Sequence, residues 1–257
     1  MKDMLKVALL QKEIAWGDPV KNRESFSNAI SRCGRADLYI LPEMFSTGFC
    51  SKSQFFAEPS GNSSLGWMKE CALRFNAAIA GSIAIDEGGA CYNRFYFVKP
   101  NAERVFYDKR HLFTYGGEDN FFKGGKERRI IEYKGFRILL QVCYDLRFPV
   151  FSRNMQDYDL AIYVASWPAS RAEVWSALLK ARAIENQCYV IGVNRVGDDP
   201  ESHYSGNSAV IDAYGHTVAA CTPEKEDTVC AELDLAELEE FRKKFPVLED
   251  RDIFELK

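Results

Sequence analysis

The stretch FRILLQVCYDLRFP, residues 136–149, decides how this chain is read. An apolar run broken only by Arg137 and Gln141 predicts a strand covered on both faces. Cys143 follows it directly, where Tyr144-Asp145 turns the chain. A cysteine there is either one more small core residue or a nucleophile on a strand-to-turn elbow, exposed to substrate and close to backbone N–H groups. Open α/β sheets bind ligands at the carboxyl ends of their strands, which favours the second reading if other reactive side chains collect at the same edge.

Two further segments supply them. DLYILPEMFSTGF (37–49) puts Glu43 behind a short apolar strand and Pro42. A carboxylate at that edge can serve as a general base, or as a helix cap or rim ion-pair partner. RVFYDKRHLF (104–113) places Lys109 at the end of another strand. An ammonium beside a thiol lowers the thiol pKa and can hold an oxyanion; alone it would be an ordinary solvated lysine. Together, Cys143 as nucleophile, Glu43 as base and acid, and Lys109 as oxyanion donor form a complete hydrolytic set.

The surrounding pattern is α/β. Strands are expected at 5–11, 37–42, 77–85, 93–98, 104–109, 136–143, 160–166, 188–196, 208–213 and 228–234. Helices are expected from Asp18-Pro19 to Cys33 with Gly34 as the stop, from Ser64 to Phe75, from Arg171 to Asn186, and from Asp234 to before Pro246. No linker or repeat divides residues 1–257, so a single domain is expected.

Composition narrows the function. A net charge of −4 gives no electrostatic reason to expect nucleic acid or an anionic membrane as partner. No apolar run is long enough for a membrane span or a signal peptide. None of the eight cysteines forms a C-x-x-C pair, which argues against a zinc ribbon or a thioredoxin-like motif. A cytoplasmic protein with reduced thiols is expected.

LPEMFSTGF, YDKRHLF and VCYDLRFP, followed by SWP (166–168) and ARAIENQ (181–187), resemble in content and order the nitrilase, or carbon–nitrogen hydrolase, superfamily. The resemblance runs from VALLQ (7–11) to VCAELDL (229–235). It implies a four-layer α-β-β-α sandwich, usually dimeric through its helical face, with Glu43, Lys109 and Cys143 catalytic. It also implies a second glutamate, Glu118 in YGGEDNFFKGG, that orients Lys109, and no metal or organic cofactor. The N–H of Tyr144 is then the natural second oxyanion donor. Within the superfamily the blocks most resemble ω-amidases of the type acting on 2-oxoglutaramate. A nitrilase, an N-carbamoyl amino-acid hydrolase and a catalytically idle scaffold of the same fold are the alternatives.

The expected substrate is a small ω-amide, held between Phe45, Tyr144 and Trp167. Its distal carboxylate is expected on Arg171, with Arg110 or Arg147 as substitutes. An α-ammonium group is expected to be disfavoured for want of an acidic partner. Asp145 is read as an ion-pair partner of Arg147 or a backbone anchor. His111 is read as a structural hydrogen-bonding residue with a Cys143–His111 pair as the alternative, and His203 and His216 are read as surface residues.

Overall fold

The computed structural model describes residues 4–50, 56–59 and 63–255. The strands in chain order are β1 (Met4–Gln11), β2 (Leu38–Ile40), β3 (Glu58–Pro59), β4 (Ala78–Glu87), β5 (Ala90–Val98), β6 (Arg104–Asp108), β7 (Ile130–Tyr133) and β8 (Phe136–Val142). They continue with β9 (Leu160–Ala165), β10 (Tyr189–Asn194), β11 (Val196–Asp198), β12 (His203–Ser205), β13 (Ala209–Ile211), β14 (Thr217–Ala220) and β15 (Asp227–Asp234). One sheet runs β15-β1-β2-β4-β5-β6, with β3 added beside β4; the other runs β14-β13-β10-β9-β8-β7.

Each sheet has a parallel centre: β1, β2 and β4 in the first, β8, β9 and β10 in the second. These are the strands written as apolar runs, because both of their faces are covered. Leu5, Val7, Leu9, Leu38 and Ile40 meet Ile138, Leu140, Val142, Ile162 and Ile191 between the two sheets. Antiparallel strands flank each centre and close it.

Helices form the outer layers. On the far side of the first sheet lie α1 (Pro19–Cys33) and α2 (Ser63–Phe75), burying Phe26, Ile30, Leu65 and Met68 against Ala8, Tyr39 and Ile79. Asp18 caps α1 by accepting from the Lys21 N–H at 3.0 Å, Pro19 opens it, and Gly34 at φ 79° ends it. The second sheet is covered by α4 (Ala172–Asn186), through Trp175, Leu179 and Ala183. A short α3 (Pro149–Ser152) follows the cysteine turn. The last helix, α5 (Leu235–Lys244), starts at Asp234, whose side chain accepts from the N–H of Ala236 and Glu237. Its Leu235 and Leu238 plug the space between the sheets rather than joining an outer layer. The fold is the expected four-layer α-β-β-α sandwich of the nitrilase type. None of the described helices is long and apolar enough to cross a membrane.

β7, β14 and the β11–β12 hairpin lie outside the strands expected from sequence. They are short, and β14 is largely exposed, so no apolar alternation marks them.

Packing of α4 on β10 depends on Gly192. A Cβ there would lie 2.6 Å from both Leu179 Cδ1 and Trp175 Cζ2, inside any real contact distance. Gly192→Ala is therefore expected to destabilise the protein by about 1–3 kcal/mol through overpacking. Urea unfolding measures this as a lower midpoint at unchanged slope; an unmoved midpoint would show that α4 yields freely.

Candidate active site

The chain leaves β2 through Leu41 and Pro42, and Met44 takes a left-handed φ of 45°. That turn leaves Glu43 fully buried at the carboxyl edge of the first sheet. Its Oε1 accepts from Asn93 Nδ2 at 2.7 Å and Lys109 Nζ at 3.0 Å, and its Oε2 accepts from the Ser166 N–H at 2.8 Å. Ser166 follows β9, so this carboxylate joins the two sheets.

Lys109 follows β6 and is buried. Besides Glu43, its ammonium donates to both oxygens of Glu118, at 3.1 and 2.8 Å. Glu118 is buried too, and its Oε2 accepts from the Phe113 N–H at 2.6 Å. Burial works against the Lys109 charge, but Glu118 and then Glu43 outweigh it and hold the lysine pKa above its ordinary value. Burial raises the Glu118 carboxyl, Lys109 opposes the rise, and Glu43 adds to it. One cation thus serves two carboxylates.

Cys143 stands at the end of β8 with φ 43°, a left-handed conformation that a non-glycine residue adopts only under constraint. Asp145 supplies that constraint. It accepts from the Val142 N–H (3.0 Å), the Tyr107 hydroxyl (2.8 Å) and the His111 N–H (3.0 Å), and His111 Nδ1 lies 2.7 Å away. Asp145 is therefore the backbone anchor of the two sequence readings, fastening the cysteine turn to the lysine segment. His111 stacks on Phe148 with ring centroids 4.0 Å apart and is bound to Asp145, so it forms no pair with Cys143.

The expectation of a lowered thiol pKa is overturned. Burial pushes the Cys143 thiol well above the ordinary thiol range, and the Glu43 charge adds to this. Lys109 pulls the other way but does not outweigh burial and the Glu43 charge. The resting residue is a thiol with a carboxylate at hand.

Glu43, Lys109, Cys143 and Ser166 line a cavity of about 210 Å³. Tyr144, Trp167 and Arg171 line it as expected, and so does Arg147. Arg147 lies over the Trp167 ring at 5.1 Å and Arg171 over Phe113 at 5.5 Å. Phe45 does not line it. Two residues past Glu43 the backbone has turned, and Phe45 packs outward against Phe26 and Trp67 under α1 and α2. Phe49 takes the expected aromatic place. Arg110 is also excluded, since its guanidinium binds the Lys126 carbonyl and covers Phe151. His203 and His216 are exposed, as expected.

Acidic groups are present in the cavity wall, contrary to expectation: Asp199 and Glu201, from the turn between β11 and β12. Asp199 is largely engaged, accepting from the N–H of Glu201 and Ser202 and from the Tyr204 hydroxyl at 2.6 Å. Sequence reasoning missed Asp199, Tyr204, Ser166 and Asn93. Asn93 is buried within β5 and also donates to Glu118 Oε1 at 3.2 Å. Only the polar pair Asn93-Arg94 inside an otherwise apolar strand could have marked it.

Residues 6–243 match the family model described as carbon–nitrogen hydrolase. The chain belongs to the carbon–nitrogen hydrolase family. It is 47% identical to Omega-amidase YafV of Yersinia enterocolitica, over 97% of this chain and 98% of that one. It is 34% identical to the 2-oxoglutaramate amidase of Bacillus subtilis, over 95% and 96%. Among solved structures, a CN-hydrolase superfamily protein of Xanthomonas campestris, with an arsenic adduct in its active site, superposes with a TM-score of 0.96. That protein is 41% identical, with 99% of each chain covered.

The shared ammonium makes a stability prediction. Lys109→Met leaves two buried carboxylates without their cation, which is expected to cost about 3–5 kcal/mol at pH 7. Burial already raises the Glu118 carboxyl above its ordinary value, and removing the cation that opposes this rise favours its protonated form in the folded state further. Stability is then present at low pH and lost as pH rises through its folded pKa. Urea unfolding at pH 5 and pH 8 should show the variant's deficit growing with pH; a pH-independent deficit would mean the carboxylates do not depend on this lysine.

Proposed function

We propose that the protein is an ω-amidase. It hydrolyses the terminal amide of a short dicarboxylic acid monoamide, of the 2-oxoglutaramate or succinamate type, to the acid and ammonia. The observation that carries this reading is the pairing, in one small cavity, of the Cys143–Glu43–Lys109 cluster with two guanidiniums, Arg147 and Arg171. Among the described residues neither arginine is paired with a carboxylate; each lies over an aromatic ring. They suit a substrate carboxylate, which a guanidinium fork binds well. The names of the 47% and 34% identical relatives support the same substrate class.

In the proposed cycle Glu43 takes the Cys143 proton as sulfur attacks the amide carbon. This suits a thiol that burial keeps protonated at rest. The oxyanion lies against Lys109 and the N–H of Tyr144. Glu43 then gives its proton to the leaving nitrogen, ammonia departs, and a thioester remains. Water, losing its proton to Glu43, attacks the thioester; the acid leaves and the thiol is restored. Glu118 holds Lys109 in place throughout.

We also read the enzyme as a cytoplasmic homodimer. Val150 on α3 and Val174 and Ile184 on α4 leave apolar surface exposed on the helical face. Light scattering that found only monomer at micromolar concentration would overturn that part.

Cys143→Ala is expected to abolish ammonia release with the fold retained. Glu43→Gln and Lys109→Ala are each expected to lose at least about a hundredfold in kcat, with Glu118→Gln between these and wild type. A loss of tenfold or less for either of the first two would remove that residue from the chemistry.

The substrate is tested by kcat/KM for 2-oxoglutaramate, succinamate, glutamine, an N-carbamoyl amino acid and a short aliphatic nitrile. One of the first two should lead. Arg171→Met and Arg147→Met should raise KM for it by roughly tenfold or more, while leaving turnover of butyramide, which has no carboxylate, unchanged. If glutamine, the carbamoyl compound or the nitrile leads, the ω-amidase reading fails.

A further inference from the structure

Two cysteines remote in sequence and outside the proposed chemistry stand side by side. Cys33 is the last residue of α1, and Cys230 lies on β15, the strand at the edge of the first sheet. Their Sγ atoms are 3.2 Å apart, and Cys230 Sγ is 4.0 Å from the Cys33 carbonyl oxygen. Both are free and half-buried, and both pack against the apolar cluster between the first sheet and its helices. A disulfide needs sulfurs about 2.05 Å apart, so bonding requires them to approach by a little over 1 Å. One partner ends a helix and the other lies on an edge strand, places where the backbone can yield that much.

We propose that Cys33 and Cys230 are a modification site: a thiol pair that small-molecule disulfides of the glutathione type oxidise reversibly to an intramolecular cross-link. One protein thiol, its proton lost to solvent, attacks the S–S bond of the oxidant. A mixed disulfide forms and one small thiolate leaves. The second protein thiol, likewise deprotonated, attacks the protein-side sulfur and expels the second small thiolate. Two protein thiols are oxidised and one small disulfide is reduced to two thiols. Burial, and then the hydrogen bond with Cys230, pushes the Cys33 thiol up to about 12, with Lys6 opposing. Exchange is therefore slow, and the pair stays open in a reducing compartment until oxidant accumulates.

The cross-link would tie α1 to β15, which pairs along the whole of β1. The loop it closes spans most of the chain, so it constrains the unfolded state strongly. Cys33 lies just before the amino end of β2, whereas Cys143 and Glu43 stand at carboxyl ends of strands. The effect expected is on stability, not turnover.

The test treats the full-length protein with excess glutathione disulfide, blocks remaining thiols with iodoacetamide and maps peptides without reduction. A Cys33–Cys230 linked peptide pair is expected, reversible by dithiothreitol. Tm should rise by at least about 4 °C, and ammonia release should stay within twofold. Cys33→Ser and Cys230→Ala should each fold, remain active and lose both the linked pair and the rise in Tm. The proposal is overturned if these two cysteines emerge only as separate glutathione adducts or unmodified. It is equally overturned if the linked form melts no higher than the reduced one.

Discussion

One buried ammonium sets the terms for the rest of the molecule. Lys109 is removed from water, so its charge survives only if the fold brings carboxylates to it, and the fold brings two. Glu43 arrives from the end of β2 and Glu118 from the turn after Phe113, while Asn93 on β5 donates to both of them. A cluster of this kind is costly to assemble and more costly to leave incomplete. The strand order of the first sheet reads as the answer to that constraint: β2, β4, β5 and β6 are successive neighbours, so their side chains converge.

The second sheet is fastened to this cluster by two carboxylates with different partners. Glu43 accepts from the backbone of Ser166, at the end of β9. Asp145, just past β8, accepts from Tyr107 and from the backbone of His111 on either side of Lys109. Lysine segment and cysteine turn are thus locked in register by hydrogen bonds rather than by apolar contact, which is less directional. The left-handed backbone at Cys143 is tolerable because Asp145 also holds the N–H of Val142. Local strain at the sulfur is balanced by an anchor that serves the neighbouring segment at the same time.

This division explains what the sequence disclosed. Glu43 and Cys143 follow apolar strands and Lys109 follows the half-exposed strand β6, so strand ends locate them and residue type suggests their chemistry. The layers were legible too, because strands covered on both faces are written as apolar runs and α4 repeats its core residues at helical spacing. Asn93 was not legible: it lies inside a strand, and its importance comes from two carboxylates remote from it in sequence. Asp199 and Tyr204 belong to a short hairpin, and nothing local shows that its turn faces the cavity. Phe45 is an aromatic two residues from Glu43, yet the turn at Met44 sends it into the helical layer instead of the wall. The thiol pKa was misjudged for a related reason. Burial of the sulfur is the largest cause of its raised value and the Glu43 charge adds to it, and both are properties of the assembled cluster.

The same reasoning bears on selectivity. Asp199 stands in the cavity wall, yet three hydrogen bonds already converge on its carboxylate, and buried Arg195 lies 3.9 Å away. An incoming ammonium group would have to share an anion whose lone pairs are largely occupied, so its desolvation would be poorly compensated. Glu201 is exposed and remains hydrated. The two guanidiniums are differently placed, because an aromatic face satisfies a cation without occupying its N–H donors. The wall therefore offers unspent donors and few unspent acceptors. A ligand carrying a carboxylate and a carbonyl matches that balance, and one carrying an extra ammonium does not. The proposed preference for an oxo acid over an amino acid thus rests on which polar groups are already committed, not on a lack of acids in the cavity.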